Sequence, residues 1–414
     1  MRSRVINTVV ALGAAGAMAL AGCSSSGSSP SGGGSSGGGG GGLGGGGSSG
    51  GGGASQNYQI GFIGALSGPN AQLGINERNG AALAIDQANS SGKYDFKATL
   101  VPSDSQGDPA KAPAAATTLI QNPNIVGIVG PAFSGESLAV NGKFCGASPS
   151  IPIVTASASN ATLQQQGWSC WHRIIPNDNV EGSQGADWLA RKGVKKLYVL
   201  NDLSAYGKGV ADTVAKEAKA KGVQVVTNGV DGTTTTNYNP VAQQIKASGA
   251  DAMFYGGYDA QAALLAKALV AAGFHGITVG GNGIKSSVFT KNSGSAGNGW
   301  YMTCGCQDAV TAPSSQAFAS AYKAKFHTDP STYSPEAYDA TNLILDAISK
   351  AESSGTPVTR TSLLPALNKE DYHGITTEIK FQANGELQTS SLTVNLFRQQ
   401  NGVIKGLGNI KELK

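Results

Sequence analysis

Six side chains have the chemistry to hold a small polar molecule: Ser134, Ser157, Ser159, Tyr206, Tyr258 and Asn282. The three serines come from one part of the chain, and the two tyrosines and the amide from another. Hydroxyls and amides donate and accept hydrogen bonds without ionising near neutral pH. Such a set grips a ligand but offers no activated nucleophile, metal cage or base–acid pair. The chain has no Cys-x-x-Cys pair and no His-Glu-x-x-His, so the usual zinc spacings are missing. Gly-x-Ser-x-Gly occurs only in a glycine-serine tract, as in Gly34-Ser35-Ser36-Gly37-Gly38, where no strand–turn–helix gives it meaning. A binding protein without metal or cofactor is expected, not an enzyme.

These residues need a scaffold to bring them together. The β-branched run 125–129 predicts a buried strand ending at Gly130-Pro131, with Ser134 or a near neighbour capping a helix that ends near Cys145. A helix N-terminus entered this way favours an anion. Strands are predicted at 59–65, 96–101, 151–154, 196–200, 223–226 and 251–255. Helices fall between them, up to 89 and over 109–120, 178–191, 206–221, 239–247 and 260–272. Helices at 314–326, 335–350 and 361–367 and strands at 377–381 and 392–398 complete the pattern. Alternation of this kind predicts an α/β fold of parallel sheets covered by helices, with too many units for one small sheet. Ligands in such sheets sit beyond the carboxyl ends of strands. Each of the six residues follows a predicted strand or the strand-like stretch ending at Val279, in an arrangement suited to a cleft between two lobes.

The 414 residues carry 30 basic and 26 acidic side chains. Without Arg2 and Arg4 the basic count is 28, an excess too small for a nucleic-acid face. Those two arginines precede an apolar run, 9–20, that fits the core of a secretory signal and is too short to span a bilayer. Leu20-Ala21-Gly22-Cys23 resembles the lipobox of bacterial lipoproteins, which implies a signal over 1–22 and a lipid on Cys23 anchoring the chain to the outer face of the cell membrane. Between Gly27 and Gly53, 18 of 27 residues are glycine. That composition predicts a disordered tether over 23–57, spanning roughly 30–35 Å as a flexible coil.

Four stretches together resemble a known family. They are Ile63-Gly64-Ala65-Leu66-Ser67-Gly68-Pro69, Gly130-Pro131-Ala132-Phe133-Ser134, Ala205-Tyr206-Gly207-Lys208-Gly209 and Phe254-Tyr255-Gly256-Gly257-Tyr258. The chain from Tyr58 onward resembles the leucine/isoleucine/valine-binding proteins, the type I substrate-binding proteins of branched-chain amino acid ABC transporters. The resemblance implies two Rossmann-like lobes joined by three crossovers, near Asp178, Cys306 and Gln388. Lobe I is then 58–178 plus 306–388, and lobe II is 179–305 plus 389–414. It implies that Ser134, Ser157 and Ser159, with the backbone of Ala132 and Phe133, hold a carboxylate, and that Tyr206 and Tyr258 close over the ligand. Partners are then a small ligand, ABC permease subunits and, through the lipid, the membrane; a monomer is expected. Two positions depart from the pattern. Asn282 stands where the family's amino-acid binders carry an acid that pairs with the ligand's ammonium, and Leu73 stands where an aromatic often lines the pocket. Unless Asp202, Asp259 or another carboxylate takes the ammonium, a carboxylate, amide or urea-like ligand competes, and Asn282→Glu is expected to raise affinity for amino acids. A sensory partner instead of a permease is equally compatible with the residues.

With Cys23 committed to lipid, four cysteines remain for an oxidising compartment. A Cys145–Cys170 bridge is expected to contribute about 3 kcal/mol for a loop of that size in the entropy model. Cys304 and Cys306 lie so close in sequence that a bridge between them strains disulfide geometry, and their pairing is left open.

Overall fold

A computed structural model describes residues 56–413; the expected signal, the Cys23 lipid site and all of the tether but its last two residues lie outside them. Among the described residues the chain opens with strand Asn57–Gly64 (β1), helix Ala71–Ser91 (α1), strand Lys97–Asp104 (β2) and helix Ala112–Gln121 (α2). Strand Ile125–Val129 (β3), helix Ser134–Cys145 (α3) and strands Ile153–Thr155 (β4) and Trp171–Arg173 (β5) follow. The five strands form one parallel sheet in the order β2-β1-β3-β4-β5. Every residue of β3 is buried, as its unbroken apolar character requires of a central parallel strand.

The next stretch repeats the theme: helix Asp178–Arg191 (α4), strand Lys196–Asn201 (β6), helix Ala205–Ala220 (α5), strand Gln224–Gly229 (β7) and helix Asn239–Ala247 (α6). Strand Ala252–Gly256 (β8), helix Asp259–Ala272 (α7), strand Ile277–Gly280 (β9), helix Ser287–Ser293 (α8) and strand Tyr301–Cys304 (β10) complete it. The chain then returns to the first sheet. Helices Gln316–Phe326 (α9), Ser334–Ser353 (α10) and Arg360–Leu367 (α11) precede the small strands Asp371–His373 (β11) and Glu378–Lys380 (β12). Leu343, Ile344, Ile348 and Leu363 share a core with Ile60, Phe62 and Val129. Finally Asn395–Gln400 (β13) and Val403–Asn409 (β14) add antiparallel strands to the edge of the second sheet, ordered β14-β13-β10-β9-β8-β6-β7. The chain thus passes between the two sheets three times, in segments 174–177, 305–315 and 381–394.

The two-sheet α/β architecture matches the expectation, with local differences. The helix expected from 109 starts at Ala112, because Asp108 closes a turn first, accepting the N–H of Ala110 at 2.8 Å and of Lys111 at 2.9 Å. The strand expected at 377–381 is shorter and pairs only with β11, outside both sheets. The last predicted strand lies at Asn395–Gln400, and β10 and β14 went unpredicted. The first of these is only four residues long, and the second contains Gly406 and Gly408 on a mostly exposed edge, so neither displays an alternating apolar face. Phe133, not Ser134, is the N-cap of α3. Disulfides join Cys145 to Cys170, tying the end of α3 to β5, and Cys304 to Cys306 at the end of β10.

Candidate functional site

The carboxyl ends of strands from both sheets border one small cavity of about 20 Å³, room for little more than a water. The first sheet contributes Ala132, Phe133 and Ser134 after β3 and Ser157 after β4, with Leu73 and Glu77 from α1. The second contributes Tyr206 from the first turn of α5, Tyr258 before α7, and Asn282 and Gly283 after β9; Tyr333, just before α10, completes the wall. Phe133 meets Tyr258 edge-on at 5.3 Å, and Tyr258 meets Tyr206 at 5.4 Å. Asn160 Nδ2 donates to the Ala205 carbonyl at 2.5 Å. The two halves therefore touch across the cavity. Gly283 is required by packing within the second half, because a Cβ there would lie 2.6 Å from Gly257 O and 2.7 Å from Tyr206 Cε1. Its N–H donates to the Tyr206 hydroxyl at 3.0 Å.

Seven of the eight residues singled out from sequence are on this wall. Ser159 is not; it stands behind, its carbonyl accepting Asp178 N–H at 2.8 Å and its Oγ lying 3.5 Å from Asn282 Nδ2. On the first-sheet side the backbone is largely engaged. Ala132 N–H donates to Ile63 O at 3.1 Å, and Phe133 N–H donates to Glu136 Oε2 at 3.2 Å. The helix terminus expected to attract an anion thus already holds one residue's carboxyl. Ser157 Oγ donates to Ala132 O at 2.6 Å, while Ser134 Oγ accepts Asn160 N–H at 3.1 Å and keeps its own proton to donate.

Asn282 has an acid behind it. Its N–H donates to Glu181 Oε1 at 3.0 Å and its side-chain amide to Oε2 at 2.7 Å, and Thr303 Oγ1 adds 2.8 Å to Oε1. With the amide nitrogen turned to Glu181, the carbonyl oxygen is the end left for other contacts. The family model for periplasmic binding proteins matches residues 57–399. The chain belongs to the periplasmic binding protein family. A Leu/Ile/Val-binding protein of Rhizobium johnstonii is 28% identical over 73% of this chain and 81% of its own length. A leucine-, isoleucine-, valine-, threonine- and alanine-binding protein of Pseudomonas aeruginosa is 26% identical over 82% of this chain and 90% of its own. The solved structure of a leucine binding protein from Thermotoga maritima superposes with a TM-score of 0.76 at 22% identity, covering 85% of this chain and 98% of that one. That likeness is one of fold.

Within this periplasmic binding protein, three site features were missed from sequence. Glu77 is 1% exposed, lines the cavity and leaves Oε2 without a hydrogen-bond partner. Burial drives its carboxyl well above the usual range, and Glu136 and Glu336 add to this against a hydrogen bond from Ser157. Tyr333 is held at φ 64°, rare for a non-glycine residue, with a buried, unpartnered hydroxyl on the same wall. Glu181 is pushed up by burial, against the hydrogen bonds of Asn282 and Thr303. The two carboxylates named from sequence do not reach the cavity. Asp202 accepts from Ser204 N–H and Oγ, and Asp259 from Ala260 N–H and Ser286 Oγ. Tyr333 and Glu77 carry no sequence signal, since one precedes a helix far from any sheet strand and the other sits in a helix as an ordinary polar residue.

Proposed function

We propose that this chain is the extracytoplasmic receptor of an ABC importer for branched-chain or closely related α-amino acids, which it captures by closing two lobes around the ligand. The observation that carries this reading is the meeting of hydroxyls from one sheet and tyrosines and an amide from the other on a single small cavity. Names of relatives that bind leucine, isoleucine and valine support the ligand class. The two lobes are 58–178 with 306–388 and 179–305 with 389–414, and segments near Asp178, Cys306 and Gln388 act as the hinge. A cavity this small admits an amino acid only after opening, and ligand bridging both walls pulls the equilibrium toward the closed state. Ser134 receives the carboxylate, Ser157 joins it by turning its hydroxyl away from Ala132 O, Ser159 supports them from behind, and Tyr206 and Tyr258 close over the side chain. A lipid on Cys23 and the glycine-rich tether hold this monomeric body near its permease.

Asn282 favours a second reading, a carboxylate or amide without an ammonium. Thermal melting of the purified full chain separates the two, using leucine, isoleucine and valine, the matching keto and carboxylic acids, amides and urea. At a hundredfold excess over Kd a true ligand adds about 2.7 kcal/mol of stability. The amino acids are expected to give the largest shift. Stabilisation by 4-methylpentanoate with none by leucine would sink the amino-acid reading.

A further inference from the structure

We propose that the Glu77 carboxylate takes the cationic nitrogen of the ligand, the role that the amide at position 282 cannot fill, and that capture of an amino acid expels a proton from this site. The inference rests on the amino-acid reading above. Three observations carry it. Among the described residues Glu77 is the one carboxylate on the cavity wall, it is nearly fully buried, and Oε2 has no hydrogen-bond partner. The competing acid, Glu181, is already saturated by the backbone and side chain of Asn282 and by Thr303, and stands off the wall. The fully buried cations of the described residues have other partners, and Arg78, the neighbour of Glu77 in α1, is only partly buried. Among the described residues Arg173 pairs with Glu386, Arg360 holds the carbonyls of Ile125 and Asn122, and Lys285 lies over the Phe397 ring.

Burial and two nearby carboxyls disfavour charge on Glu77: Glu136 comes from α3 and Glu336 from α10, while the Ser157 hydroxyl favours ionisation. Tyr333, from the turn before α10, stands near it as a neutral phenol whose own ionisation Glu77 opposes. Across the cavity Asp178 and Glu181 of α4 add negative potential at Tyr333. Glu77 therefore carries a proton until a cation arrives. An ammonium beside Oε2 lowers its pKa, and the proton leaves to solvent. Amino-acid affinity then rises with pH up to the value at which the ligand-free Glu77 ionises, and levels off above it. A carboxylate ligand without the ammonium shows the opposite slope, because it prefers the protonated, donating form.

Calorimetry of the full chain with leucine and with 4-methylpentanoate, in buffers of different ionisation enthalpy near pH 7, reads both effects. The wild type is expected to release about one proton per leucine bound. Glu77→Gln, checked by its ligand-free melt, is expected to lose about 100-fold or more in leucine affinity while keeping its affinity for 4-methylpentanoate. Leucine affinity unchanged in Glu77→Gln overturns the assignment and leaves the receptor reading standing. An equal loss for both ligands also overturns it, as the mark of a structural role. If the variant fails to fold, the wild-type proton count decides, and no release overturns the proposal. Failure of the wild type to bind any of the three amino acids removes the receptor reading and this inference together.

Discussion

Asn282 donates twice to Glu181, through its backbone N–H and its side-chain amide. A carboxylate at position 282 would lose the second donor and face Glu181 at contact distance. One of the two must then stay protonated or the pair must separate. Asn282→Glu alone is expected to lower unfolding stability by about 3 kcal/mol. Adding Glu181→Gln returns a donor to the pair and is expected to recover more than half of the loss. Urea melts of the two variants check this, and a neutral single variant would contradict it. With Glu77 proposed as the ammonium partner, neither variant is expected to gain the amino-acid affinity that the sequence alone led one to expect from Asn282→Glu. Arg173 is another residue whose partners decide its role. It pairs with buried Glu386 and donates at 2.9 Å to the carbonyls of Ala158 and Asn160, fixing the loop that carries Ser157.

Between β3 and α3 the chain turns within four residues and presents two of them, Ala132 and Phe133, to the cavity, with Ser134 following as the first residue of α3. Gly130 makes the turn possible at φ 114°, and a Cβ there would sit 2.5 Å from Ile63 O. No side chain escapes both the dihedral and the contact. Gly130→Ala is expected to cost about 3 kcal/mol in a denaturant melt and to weaken ligand binding by displacing Ala132 and Phe133. A variant with unchanged binding would show that the loop does not position the wall. Glu136 holds the same element from its other end, accepting Phe133 N–H and the Ser105 hydroxyl. Tyrosines on the opposite wall are set by α5 and the turn before α7, so closure of the site depends on how four elements from two sheets are aimed.

At the scale of the whole fold, buried acids outnumber buried bases among the described residues, and this shapes stability against pH. Burial raises Glu136 and Glu336 to about 7, Asp178 to about 8, and Asp202, Asp259 and Asp339 to about 6. An acid whose folded pKa exceeds its unfolded value binds its proton more tightly when folded. Its contribution is full below about pH 4 and is lost as pH rises toward the folded value. Asp104 and Asp308 run the other way: partial burial raises them, but hydrogen bonds led by those from Ser67 and Thr311 outweigh it. Their contribution is lost on acidification below about pH 4. The ligand-free protein is therefore expected to melt at a higher temperature at pH 5 than at pH 8, and Glu136→Gln to flatten that slope. Calorimetric scans across this range check it; a melting temperature that rises from pH 5 to pH 8 would contradict the balance drawn here.

Several features were already written in local residue patterns. The all-buried run Ile125–Val129, the glycines after strands, and the polar residues at strand ends are short-range signals, because a parallel strand and the turn that follows it declare themselves within about ten residues. From them the two-sheet α/β fold and five wall residues could be read, and the family resemblance added Ala132 and Phe133. Glu77, Glu181 and Tyr333 could not. Asn76, Glu77 and Asn79 are buried polar residues in α1, so polarity, the usual guide to exposure, points the wrong way there. Glu181 gains its meaning from Asn282, a hundred residues later in the chain, and Tyr333 from a return crossing that packs α10 against α1. Hydrophobic period tells which face of a helix is buried, but not which other element covers it. Long-range packing alone brings a buried acid to the cavity wall.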